Sequence, residues 1–146
     1  MKRFFIILFV GIFWCQFSFA KSMLSINEYV SNNSKWAKDP ISIAYVFKRC
    51  GAVYLYASAL TSNKDQIKAF NRASNSSLQF AHQVLVKKKK MSSSKATDIV
   101  FGALDKILLN YKNDGEDSYA ATGEYIIGNY IGKDLQICKG LVKSIN

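Results

Sequence analysis

Histidine and proline occur once each in this chain, as His82 and Pro40, and cysteine only three times. Each scarcity closes a door. A hydrolytic triad needs a base beside its nucleophile, and no serine lies in a GxSxG elbow. His82 is therefore the sole ordinary base, and it has no second metal ligand three or four residues away. No CxxCH segment exists to attach haem. Carboxylates do not compensate. Asp98 and Asp105 lie seven residues apart on one helix face, and Glu124 and Asp134 fall on different faces, whereas glycosidic chemistry needs a converging pair. The expectation is a non-enzymatic chain with no metal site and no cofactor. One proline and eight glycines also disfavour a many-turned β fold.

Residues 1–20 carry the clearest signal that is present. Met1-Lys2-Arg3 is basic, Phe4 to Phe17 is almost wholly apolar, and Ser18 and Ala20 place small residues at −3 and −1 before Lys21. This is the order of a secretory signal peptide. A membrane anchor is the rival reading, but the run falls short of the roughly 20 apolar residues that span a bilayer. Cys15 follows Phe13-Trp14 rather than a small residue, so lipidation is not expected. Residues 21–146 then form a single helical domain, periplasmic or secreted, with no transmembrane segment after cleavage. Cleavage removes two of the 20 basic residues and none of the ten acids, leaving a formal charge of +8. Such a protein is drawn to anionic surfaces.

Loss of Cys15 leaves Cys50 and Cys138. Two cysteines in an oxidising compartment are expected to pair, with two buried free thiols as the alternative. A bridge between them closes a loop worth roughly 4–5 kcal/mol on the chain-entropy model.

Helical patterning covers the rest. Ser25 and Glu28 form a capping box for a short helix near Leu24–Asn33. Asp39-Pro40 opens a long one, with Ile43, Val46, Cys50, Val53, Ala57 and Leu60 as its stripe. Asn63 and Gln66 start a second, running to Lys87 with Ile67, Phe70, Ser74, Leu78, Ala81 and Leu85 inward. A third is expected over Lys95–Lys112, closed by an Asn113-Asp114-Gly115 turn. A fourth is expected over Ser118–Lys143. The fold class is all-α: an antiparallel four-helix bundle with a short extra N-terminal helix and one disulfide, in which Cys50 and Cys138 fall at similar heights.

Two surfaces stand out. Tyr45, Arg49 and Tyr56 line a stripe nearly opposite the core face of the first long helix. Either the segment 24–36 covers it or a protein partner does, since tyrosine and arginine favour interfaces. Lys87, Lys88, Lys89 and Lys90 form a candidate anion contact. They surround a helix C-terminus, where cations are stabilising, so they offer salt-sensitive attraction rather than a recognition face. No specific nucleic-acid motif occurs.

Arg49-Cys50-Gly51-Ala52-Val53-Tyr54, with Asp134 four residues before Cys138, is similar to small secreted helical proteins of unassigned function from marine bacteria and their phages. The likeness covers the two cysteine helices and implies no activity. One cysteine in the first long helix and one in the last is also similar to periplasmic immunity proteins that neutralise cell-wall-degrading toxins. The expected function is thus an exported, disulfide-stapled, non-catalytic binding protein. The alternatives are a cationic protein that associates with the envelope or a polyanion, and a toxin-immunity protein.

The leader reading predicts that the exported protein begins at Lys21. Intact-mass measurement checks this, and retention of residues 1–20 would establish an anchored protein instead.

Overall fold

The computed structural model describes residues 23–145; the leader and its cleavage site lie outside them. The described chain is all-helical and carries one disulfide, Cys50–Cys138. Its helices are α1 (Ile26–Asn32), α2 (Pro40–Ala59), α3 (Lys64–Lys87), α4 (Ser93–Phe101), α5 (Leu104–Thr122) and α6 (Tyr130–Lys143). A single 3-10 turn, Trp36–Lys38, leads into α2. The helices form a bundle around α2, which packs against α3, α5 and α6, while α1 leans on α6.

Local chemistry sets the starts. The Ser25 side chain accepts from the Glu28 backbone, and Glu28 accepts from the Ser25 backbone in return. Asp39 caps α2 through the Ile41 and Ser42 amides, with Pro40 where no amide is needed. Asn63, Ser92 and Asn129 cap α3, α4 and α6 in the same way.

The helices expected over Lys95–Lys112 and Ser118–Lys143 are redrawn. The chain breaks at Gly102-Ala103, separating α4 from α5. The break serves two clusters. Ala96 and Val100 join Ile43, Phe47, Leu78 and Leu85, whereas Ile107 and Tyr111 join Val46, Val53, Ile131 and the cysteines. One straight helix cannot aim its stripe at both. Lys48, almost buried, donates from Nζ to the Ile99 carbonyl at 2.9 Å, satisfying a free carbonyl at the α4 terminus.

Asn113-Asp114-Gly115 is not a turn. It lies inside α5, and a Cβ at Gly115 would sit 1.8 Å from the Tyr56 hydroxyl. Glycine there admits a phenol ring, not a bend. The real break comes at Gly123 (φ +79°), and Gly128 (φ +82°) follows in the loop before α6. Both lie in the left-handed region that favours glycine.

The disulfide joins α2 to α6 across a separation of 88 residues, with the Cα atoms 5.3 Å apart. Reduction should lower stability by about 4.5 kcal/mol on the chain-entropy model. Urea unfolding with and without reductant checks this. Coincident curves would show that the bridge adds nothing to stability.

Candidate functional site

The stripe proposed as a partner surface is not a surface. Arg49 is wholly buried and Tyr56 is buried, while Tyr45 is only partly exposed. The covers differ. Tyr29 of α1 packs on Tyr45, ring centroids 4.6 Å apart, as the internal-cover alternative for segment 24–36 had it. Tyr56 is instead sealed by α5, through Gly115 and a stacked Tyr111.

Arg49 is covered from three directions. Its Nη2 meets Asp134 Oδ2 of α6 at 2.6 Å. Its Nε and Nη2 donate to the Tyr111 hydroxyl at 3.2 and 3.0 Å. Its Nη1 donates to the Leu24 carbonyl. Tyr111 donates onward to Asp134 Oδ2 at 2.7 Å, and the Ile26 amide donates to Oδ1 at 2.7 Å. One carboxylate thus gathers the start of α1, α2 and α5 onto α6.

Burial pushes the Asp134 carboxyl above its ordinary range, while Arg49, Tyr111 and the Ile26 amide pull it down. Burial also raises the Tyr111 hydroxyl well above its usual value, and Asp134 adds to that. Arg49 stays protonated: its carboxylate and phenol neighbours outweigh its desolvation. Every charged group here is matched by another, so the cluster cross-links helices and offers no free acid or base.

The other polar pair is His82 and Ser93. His82 Nε2 lies 3.3 Å from Ser93 Oγ and 3.2 Å from the Ser93 carbonyl. The contact ties α3 to the start of α4. Among the described residues no group of three or more His, Cys, Asp or Glu is placed to hold a metal.

Tyr56 is a different kind of outlier. Its hydroxyl is buried with no hydrogen-bond partner, and burial pushes its pKa up to about 12. Its ring borders a cleft of about 330 Å3 with Leu55, Leu108 and Tyr125, but the hydroxyl rests on Gly115, sealed from solvent.

What remains accessible is charge, and it is sorted. Lys64, Lys68, Arg72, Lys87, Lys88, Lys89 and Lys90 on α3 and its end are all exposed, as are Lys133, Lys139 and Lys143 on α6. Against these ten cations the two helices carry Asp65 and the buried Asp134. Six of the ten acids lie instead between Asp98 and Glu124, on α4, α5 and the following turn. α3 and α6 touch, so the two helices richest in cations are neighbours. The Lys87–Lys90 run is the end of α3. The other cations escaped sequence reasoning because they are spread over two helices; the i, i+4, i+8 spacing of Lys64, Lys68 and Arg72 was the available signal.

Two variants test the buried cluster. Asp134→Ala should cost about 3–5 kcal/mol, because it strands the Arg49 charge. Arg49→Met with Asp134→Leu should cost clearly less. Urea midpoints decide, and additive losses would contradict the coupling. Tyr56→Phe should be neutral or stabilise by up to about 1 kcal/mol, since it removes an unmatched hydroxyl; a large loss would mean that the hydroxyl has a partner.

No protein-family model matches the chain, and no curated protein or solved structure is significantly similar to it.

Proposed function

We propose that this chain is an exported, non-catalytic binding protein that engages an acidic protein through its α3–α6 face. The sorting of charge carries this reading: α3, the residues that end it and the touching α6 hold ten exposed cations, while six of the ten acids lie on α4, α5 and the turn after α5. Long-range attraction from such a face speeds encounter with a partner of opposite sign and turns away others.

Two other anionic classes fit less well. Stable attachment to a lipid surface needs apolar side chains that enter it as well as basic ones. The large exposed apolar residues among those described are Leu24, Ile41, Leu60, Phe101, Leu109, Tyr119 and Ile127; none is on α3 or α6, and only Leu60 and Ile127 border the groove between them, at one end. For the same reason the face lacks protruding rings for stacking single-stranded bases. His82, the sole histidine, is engaged with Ser93, and Arg49 and Asp134 are engaged with each other, which favours binding over catalysis. The disulfide suits an oxidising compartment, and no helix among the described residues is long and apolar enough to cross a membrane. Inhibition of a toxin by occlusion is one function that such a face can serve.

Charge reversal tests the reading. The triple variant Lys64→Glu, Lys68→Glu, Arg72→Glu should weaken binding to fluorescent poly-glutamate by at least about tenfold at low salt. Asp105→Lys with Asp117→Lys, on the acidic side, should not weaken it. Equal losses, or none, would remove the face from consideration.

A further inference from the structure

We propose that the trough between α3 and α6 seats an acidic amphipathic helix carried by the partner. This rests on the reading that the basic face meets an acidic protein, and it names the form in which the acid arrives. The trough has an apolar floor. Its first hollow, of about 370 Å3, is lined by Tyr54, Ala69, Phe70, Ala73, Leu135 and Lys139. A second, of about 340 Å3, shares Phe70 and Leu135 and runs on to Leu60 and Ile127, the latter 71% exposed. Tyr54 and Phe70 meet ring to ring at the floor, centroids 6.1 Å apart.

The shape comes from the sequence. Ala69 and Ala73 stand one turn apart on α3, and their short side chains keep that wall low. Low walls let a third helix approach closely, with its ridge of side chains in the groove. Charge completes the fit. Lys139 lines the first hollow and exposed Arg72 adjoins Ala73. Glu124 borders the far end of the second hollow. The partner helix should therefore set its acids over Lys139 and Arg72, and a neutral apolar end beside Ile127. An acyl chain is the poorer occupant. In a trough this open it would keep much of its surface in water, whereas a helix brings the body of its own protein as cover.

The probe is a synthetic peptide with leucines at i, i+3, i+4 and i+7 and glutamates elsewhere. A scrambled peptide of the same composition spreads the leucines around the helix. Anisotropy titrations with the exported protein should show the amphipathic peptide binding at least about tenfold tighter, the effect of burying one or two leucines. Ala73→Arg should erase that preference. Ala69→Arg, at an exposed position where folding is not at risk, should do the same. Both changes add positive charge, so attraction by charge alone predicts tighter binding and the trough predicts the opposite. A preference that survives both variants overturns the proposal. Equal binding of the two peptides overturns it while leaving the basic face standing. Failure of both peptides defeats the acidic-partner reading beneath it. Tight binding to phosphatidylglycerol vesicles that the same variants abolish, with no peptide preference, overturns it in favour of lipid.

Discussion

The Arg49–Asp134 pair is the constraint on which the arrangement of helices depends. Residues 49 and 50 are neighbours on α2, and 134 and 138 are one turn apart on α6. The ion pair and the disulfide are thus successive cross-links along one helix–helix contact. Tyr111 and the Ile26 amide extend the link to α5 and α1. A buried ion pair need not stabilise more than apolar residues of equal volume. What it does is exclude alternatives: any slip of α6 on α2 would strand a charge in the core. The disulfide fixes the same register covalently, so each reinforces the geometry that the other requires.

Some of this was legible in the sequence. The caps at Ser25, Asp39 and Asn63 and the stripe of α2 are local signals, and local signals survive folding; the cysteine pairing followed from the count of cysteines left after the leader. Where an element answered to tertiary packing, the local signal misled. Gly115 reads as a turn residue until the Tyr56 ring is seen against it. The stripe from Ile99 to Tyr111 reads as one helix until its two halves are seen to serve different clusters. Arg49 reads as a surface residue because arginine is almost never fully buried without a partner. The partner could have been found. Once Cys50 is paired with Cys138, α6 is registered against α2, and Asp134 falls one turn from the bridge.

With Arg49 and Tyr56 buried, accessible charge lies on the outside of the helices, where the fold makes fewer demands. Isolated surface ion pairs are worth little, typically about 0–1 kcal/mol, so folding is nearly indifferent to where exposed charges lie. A chain that mixed its lysines and acids evenly over α3 and α6 would fold at least as well. Here the like charges on those helices repel one another, and i, i+4 repetition of cations on α3 costs some tenths of a kcal/mol per pair.

That repulsion also bears on the trough. Neighbouring cations on α3 and α6 favour keeping the two walls apart, and the alanines at 69 and 73 do nothing to close the gap. A larger apolar residue at exposed position 69 would cover part of the floor and gain apolar burial. The chain keeps small side chains beside an uncovered apolar floor and sets positive charge at its edge. Neither choice helps the monomer: the one leaves hydrophobic surface wet and the other adds repulsion. Both are relieved together when an acidic, apolar-faced helix lies in the trough, because its carboxylates screen the cations while its side chains cover the floor.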